Sequence, residues 1–178
     1  MAVTQFNLNP GQRAQRKLLL TVAEWTETDD STTPATTTQV REILGTRTED
    51  SSIEYNSEIE TTTDILGNNY TDLNKTQPEQ AFDPFLILGG SKLGALLDDI
   101  RSRNALSELQ QFTMYIITVY KGTAGAYECE RHTDCTITYD SIGGDVNVNF
   151  PITVHFSNKI SHGTVDKLSD DFKFTEDV

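Results

Sequence analysis

The chain has 178 residues, a formal net charge of −13 and a sequence pI of about 4.5. This negative net charge argues against a surface that binds nucleic acid through Lys and Arg, and equally against binding to anionic membranes. The length fits one domain over residues 1–178, and the apolar runs are too short to predict a membrane span or a signal peptide.

The N-terminal third predicts an arm, a strand and a long loop. Residues 1–15 are polar and predict an extended arm, and residues 16–25 predict the first strand. The Thr/Asp/Pro run at 26–38 predicts an exposed loop, because such low-complexity sequence buries little apolar surface. Residues 39–50 predict a short strand or a loop edge. Three basic residues precede the first acidic residue of the chain: Arg13, Arg16 and Lys17.

Residues 51–66 predict a half-buried strand, because polar and apolar positions alternate with a period of two. The polar face would carry three acids, Glu54, Glu58 and Glu60. Glu54 and Glu58 would lie roughly 13 Å apart along a strand, too far for a paired-carboxylate glycosidase site by themselves. The spacing of an EF-hand is also missing. A solvated strand face is the ordinary explanation of such a stripe.

A turn at 67–69, a strand ending at Pro78 and one helix follow. The helix is predicted around residues 91–104 from an apolar stripe at helical spacing, Leu93, Leu96, Leu97 and Ile100. Ser91 suits its N-cap and Asn104 its end. Asp98 with Arg101 and Asp99 with Arg103 have ion-pair spacing. The segment GGSKLG at 89–94 resembles part of a phosphate loop, but it lacks the first glycine and its lysine follows the serine.

Residues 111–121 predict a central strand, and residues 126–140 predict an alternating one. Alternation would place Cys129 and Cys135 on one face, about 20 Å apart, which disfavours a shared zinc ion or a disulfide. The opposite face would carry His132 and a second set of acids. These acids are Glu128, Glu130 and Asp134. Two strands with acids on one face could form one acidic sheet surface.

Residues 146–158 predict a strand that is an edge strand or bulged at Pro151, with Val146, Val148 and Phe150 on its apolar face. The segment around His162 has a turn-like sequence, and residues 172–177 predict a short last strand. Many strands with one helix predict a mainly β fold, a β-sandwich or barrel with a helix at one end. Nucleophile elbows and zinc-protease motifs are missing, so we predict no enzyme, no cofactor and no metal.

Three motifs in order resemble a known family. They are EILGTRTEDSSIEYNSEIETTTDILGNNYTDLNKTQPEQAFDPFLI, SKLGALLDDI and SIGGDVNVNFPITVHFSNKISHGTVDKL. The chain is similar to the major tail tube proteins of long-tailed, siphovirus-like bacteriophages, most of all those infecting Gram-positive hosts. The similarity runs over about residues 16–175. Its strongest parts are 63–85 and 141–165.

The resemblance implies a structural virion protein with a ring-forming β-sandwich and one flanking helix. Six copies would form a ring, and rings would self-assemble into a hollow tail tube that conducts DNA into the host during ejection. Implied partners are other copies, tail terminator and tail-tip or baseplate proteins, and the tape measure protein that fills the lumen before DNA. The protein would be made in the host cytoplasm and end in the virion.

The resemblance also implies an acidic lumen and bridging segments between rings. A negative wall suits DNA transit, because it offers no cations for phosphates to bind. Lumen-facing candidates are Glu54, Glu58, Glu60, Glu128, Glu130 and Asp134. The bridging segments would be 1–15, 26–50 and 166–178. Inter-subunit candidates are Phe6, Leu8, Arg13, Arg16, Lys17, Trp25, Asp29, Asp30, Glu49 and Asp50.

Two other functions remain open from the sequence. The inner tube of a contractile tail, or of a related injection apparatus, shares the fold and differs in its partners. A carbohydrate- or receptor-binding β-sandwich would expose aromatic side chains on a face or groove. Trp25, the only tryptophan, lies where a predicted strand enters a loop and gives that second function slight support.

Overall fold

A computed structural model describes the chain over residues 6–29, 34–48 and 50–177. The described part is mainly β, with a single α-helix, as the sequence predicts. The strands are β1 (Leu19–Asp29), β2 (Thr36–Ile43), β3 (Ile53–Glu54), β4 (Glu58–Thr63), β5 (Asn69–Lys75), β6 (Glu79–Phe82), β7 (Phe112–Thr123), β8 (Ala126–Tyr139), β9 (Ile152–His155), β10 (Ile160–Val165) and β11 (Phe174–Glu176), and the helix is α1 (Lys92–Arg103).

Strand β8 organises the sheet, because its two halves pair with different neighbours. Its first half lies between β7 and β10, in the antiparallel order β2-β1-β7-β8-β10-β11. Its second half pairs with β9, which leads to β6 and then β3. Strands β4 and β5 form a separate two-stranded hairpin.

Two apolar cores lie on opposite faces of β1 and β7, because successive side chains of a strand point in opposite directions. The larger core contains Met114 and Ile116 of β7 and is covered by α1, β6 and β9. The smaller core contains Tyr115 and Ile117, with Phe172 from the C-terminal segment. The buried pattern of β7 on both faces confirms that it is a central strand.

Helix α1 forms as its sequence predicts. The Ser91 side chain accepts a hydrogen bond from Gly94 N, and Asn104 ends the helix in the left-handed conformation. Both ion pairs are present, Arg101 with Asp98 at 2.7 Å and Arg103 with Asp99 at 2.8 Å.

A feature that the sequence did not reveal is a carboxylate from β2 at the start of this helix. The Glu42 carboxylate accepts hydrogen bonds from Ser91 Oγ and from the backbone N–H groups of Lys92 and Leu93. A protein carboxylate therefore occupies the position that a phosphate would take at a helix N-terminus.

The prediction of one half-buried strand over 51–66 is wrong. Asn56 has a φ of 38°, which interrupts a regular strand and which Asn tolerates better than most residues. The chain therefore splits into β3, which joins the sheet edge through β6, and β4, which leaves for the hairpin. All residues of β4 are exposed, so its alternation does not mark a buried face.

Three other boundaries also differ from the sequence-based prediction. Much of the predicted loop 26–38 pairs as the antiparallel strands β1 and β2, although residues 26–28 and 34–38 are exposed as expected. The turn-like segment around His162 is strand β10. The strand predicted over 146–158 is only β9, and Val146 and Val148 are exposed. Gly144 explains the last difference, since its positive φ closes a tight turn in which a Cβ atom would lie 2.1 Å from the Asn147 carbonyl oxygen.

A bulge in β8 overturns the predicted sharing of faces along that strand. His132 pairs with Met114 and Cys135 pairs with Phe112, so two residues of β8 lie opposite one residue of β7 between these pairs. Asp134 within the bulge has a φ of 57°. Cys135 therefore lies on the face of His132. Cys129 belongs to the smaller core and Cys135 to the larger one. His132, expected on a polar face, is 3% exposed.

Candidate assembly surfaces and acidic faces

Glu54 lies in a polar row across the sheet edge. Its cross-strand partner is Glu79, followed by His155 and Thr136. Directly opposite residues share a face, so the two glutamates stand side by side. His155 Nδ1 lies 3.2 Å from Glu79 Oε1 and links one of them to β9. Asp50, Glu54 and Glu79 line one open cleft.

Glu128 and Glu130 lie in a different row, on β8 between β7 and β10. Glu130 stands between Ile116 and His162, and Glu128 stands between Thr118 and Thr164. The His132 ring, with Nε2 3.8 Å from Glu130 Oε2, helps to hold the pKa of Glu130 below its ordinary value. His162 and Lys121 act in the same direction.

The sheet register places these two rows of acids on opposite faces. Glu130 shares the face of Cys135, because the bulge aligns both with the face of Phe112 and Ile116. Glu54 shares the face of Thr136, which is next to Cys135 and points the other way. Asp134 sits in the bulge, exposed and paired with Lys159. The six predicted lumen-facing residues therefore do not form one acidic surface within a single chain.

Glu58 and Glu60 lie on the β4–β5 hairpin, residues 58–75, which is exposed on both faces. Glu58 pairs with Lys75 at 3.4 Å, and Glu60 stands opposite Asp72. The hairpin also exposes large apolar side chains: Ile59, Ile65, Leu66, Tyr70 and Leu73. An isolated two-stranded hairpin is marginally stable in water, so its apolar surface is suited to contact with another molecule.

Asp64 gives the hairpin tip a defined shape. Its carboxylate accepts hydrogen bonds from the N–H groups of Leu66 and Asn68, from the Asn68 side chain and from the Tyr70 hydroxyl. These donors, those of Asn68 foremost, lower the pKa of Asp64. The turn holds Ile65 and Leu66 outwards, with exposures of 103% and 81%.

The N-terminal segment, residues 6–18, is fastened to the sheet near both ends. Asn7 donates to carbonyls of β7 through its side chain and backbone, and the Phe6 ring packs edge-on against Tyr120 at 5.6 Å. Arg16 donates to the Ser51 and Leu19 carbonyls. Arg13 and Lys17 are exposed, whereas Leu8 is half-buried.

The other inter-subunit candidates are placed less favourably or are not described. Trp25 is buried in the larger core against Phe112, and its indole N–H donates to Glu27. Its burial removes the one observation that favoured carbohydrate binding. Asp50 is exposed. Asp30, Glu49 and the Asp29 side chain lie outside the described part of the chain.

The C-terminal segment packs back onto its own sheet. Phe172 is 2% exposed, and Arg41 both donates to its carbonyl and stacks on its ring at 4.5 Å. Arg131 stacks on Phe174 at 4.7 Å and pairs with Glu176 at 2.9 Å. Within one chain, this predicted bridging segment is therefore largely committed to internal contacts.

The described residues contain no cluster of three or more His, Cys, Asp or Glu side chains that could hold a metal ion. Both cysteines are buried free thiols, and burial raises the pKa of Cys129 to about 12. None of the helices in the described ranges is long and apolar enough to cross a membrane. No family model matches the sequence, and no curated protein matches it.

Proposed function

We propose that this chain is the tail tube protein of a long-tailed bacteriophage, built as a β-sandwich whose hexameric rings stack into a hollow conduit for DNA. The observation that carries the proposal is the hairpin 58–75, which exposes apolar side chains on a chain otherwise rich in acids. This hairpin falls inside the sequence that resembles the family. A monomeric function leaves it unexplained, whereas assembly buries it.

The sheet edge formed by β2 supports the same proposal. Strand β2 ends the sheet order, is eight residues long and contains neither lysine nor proline. Soluble monomers usually protect such an edge, because its backbone groups can pair with another chain. A ring of identical subunits uses such edges by a heterologous contact that closes on itself.

The acidic composition fits a conduit that DNA passes without binding. Six copies of a chain of charge −13 carry −78 in total. A wall of that sign gains nothing from counterion release, the term that makes DNA adhere to basic surfaces.

Negative-stain electron microscopy of the purified protein, over a range of concentrations, tests the proposal. We expect hollow tubes or six-fold rings. Changing Ile65 and Leu66 to Ser should abolish them while leaving the circular dichroism spectrum unchanged. Leu106→Ser, at an exposed apolar position outside the hairpin, is the matched control and should still assemble. A protein that stays monomeric at every concentration contradicts the proposal.

The opposite placement of the acids allows a second test. Only one of the two rows can face the lumen, so the pairs Glu54→Lys/Glu79→Lys and Glu128→Lys/Glu130→Lys should differ. Both variants are assayed for tube formation and then, in phage that carry them, for infectivity. Charge reversal on the lumen wall should leave tubes intact and lower infectivity at least ten-fold. Equal infectivity of both variants and the wild type contradicts an acidic wall at either row.

A further inference from the structure

We propose that the hairpin of one copy docks on the N-terminal segment of a second copy. This inference rests on the proposed tube function and names the two surfaces that would join. The acidic inter-subunit candidates from the sequence are Asp29, Asp30, Glu49 and Asp50. The hairpin offers acids together with exposed apolar side chains.

Charge complementarity is the first argument. The N-terminal segment contains three basic residues and no acid, for a net charge of +3. The hairpin contains four acids and one lysine, for a net charge of −3. The two surfaces therefore balance within a chain whose total charge is −13. Opposite potentials of this kind set partner choice and association rate.

The basic side chains are also available. Arg13 and Lys17 are exposed, and neither has an ion pair among the described residues. Among the residues that the structure describes, the hairpin forms one ion pair, Glu58 with Lys75, and that pair is internal to the hairpin. No hydrogen bond or ion pair within the described part of the chain joins the hairpin to residues 6–18. A second copy is the partner that supplies both surfaces.

Hydrogen bonds within the chain already constrain both surfaces. The N-terminal segment is held by Asn7 and Arg16, and the hairpin tip is held by Asp64. Preorganisation reduces the entropy lost on docking, so a modest contact can be stable. Phe6, 61% exposed, is the apolar side chain of the segment that Ile65 and Leu66 can cover.

A charge exchange tests the contact. Glu60→Lys with Asp72→Lys changes the hairpin from −3 to +1 and keeps two like charges opposite each other. Arg13→Glu with Lys17→Glu changes the segment from +3 to −1 and leaves the Arg16 anchor in place. Each variant alone would then present surfaces of like sign. In an equimolar mixture, every contact between unlike variants is complementary.

We expect each variant alone to need at least a ten-fold higher concentration for half-maximal assembly, measured by sedimentation velocity and microscopy. The mixture should recover assembly near the wild-type concentration. Circular dichroism should show both variants folded. Lys92→Glu with Arg101→Glu imposes the same change in net charge as the segment variant, at exposed basic residues of α1 outside the proposed contact, and should assemble.

The outcomes separate this inference from the proposed function. Wild-type tubes together with unimpaired single variants overturn the docking and leave the tube function standing. Impaired variants that the mixture does not rescue also overturn the docking, because each contact between unlike variants in the mixture is complementary. A wild-type protein that never assembles overturns both.

Discussion

Arg41 should make one of the largest single contributions of any charged side chain to the stability of this fold. Its Nε lies 2.5 Å from Glu24 Oε2, and the two side chains are 18% and 10% exposed. It donates to the Phe172 carbonyl at 2.6 Å and stacks on the Phe172 ring. The Tyr115 hydroxyl lies 3.3 Å from the same carboxylate. Arg41 therefore connects β1, β2 and the C-terminal segment.

The magnitude of Arg41→Ala follows from these contacts. A hydrogen bond from a charged donor contributes about 1.5–3 kcal/mol, and a partly desolvated cation–π contact contributes about 0.5–2 kcal/mol. Removing one partner of a buried ion pair costs about 3–5 kcal/mol, because the other charge remains buried without compensation. These terms overlap at one side chain, so we expect a loss of about 3–5 kcal/mol in the free energy of unfolding. At this chain length that loss corresponds to roughly 10 °C in Tm.

Urea denaturation followed by circular dichroism measures the effect. Arg101→Ala is the control, since Arg101 forms an exposed pair with Asp98 whose loss should cost less than about 1 kcal/mol. The double variant Glu24→Gln/Arg41→Met should be more stable than Arg41→Ala, because it leaves no unpaired buried charge. A loss below about 1 kcal/mol for Arg41→Ala would refute the reasoning, and so would a double variant less stable than the single one.

Three further predictions concern the core, the hairpin and the last strand. Leu97→Ala removes a fully buried side chain of α1 and should cost about 2–5 kcal/mol in urea denaturation. The Asp64 turn should be complete above the ordinary carboxyl pKa of 3.8 and should be lost as the pH falls through the lowered pKa of the folded state. In an acid titration, the Leu66 amide chemical shift should then move to the value of an unstructured chain. Gly163→Ala places a Cβ 2.2 Å from the Thr175 carbonyl oxygen, so hydrogen exchange of the last strand should accelerate while that of α1 stays slow.

Elements with strong local signals were predictable from the sequence. The helix has its apolar stripe, its N-cap and its C-terminal asparagine within a few residues of each other, and each signal agrees with the next. Strand β7 is apolar on both faces, which is enough to identify a central strand. The mainly β class follows from the number of alternating segments. Neither the sheet order nor the pairing of β8 with two sets of neighbours has a local signal.

Elements whose conformation depends on one residue were not predictable. Asn56 and Asp134 both adopt positive φ, and each redirects a strand that otherwise alternates without interruption. Asn and Asp are common in ordinary strands and loops as well, so their presence alone does not locate a break. The contact of Glu42 with the start of α1 joins residues about fifty positions apart, and no spacing rule connects them. Strand β4 of the hairpin has an alternating sequence that usually indicates a half-buried strand, yet all of its residues are exposed.

The acidic residues show how one backbone irregularity changes a functional interpretation. If the segments that contain Glu54 and Glu130 were regular strands, the two residues would lie on similar acidic faces that could merge into one wall. The bulge at Asp134 instead places them on opposite faces of the same sheet. In the proposed tube, only one of these two rows can line the lumen, and the other would face the tube exterior or a neighbouring subunit. Glu130, which has His162 as its cross-strand neighbour, is the better placed for a subunit contact, because an imidazole can offset its charge there. Glu54, beside Glu79 and an open cleft, keeps its charge directed at solvent, which is the property that a non-binding wall requires.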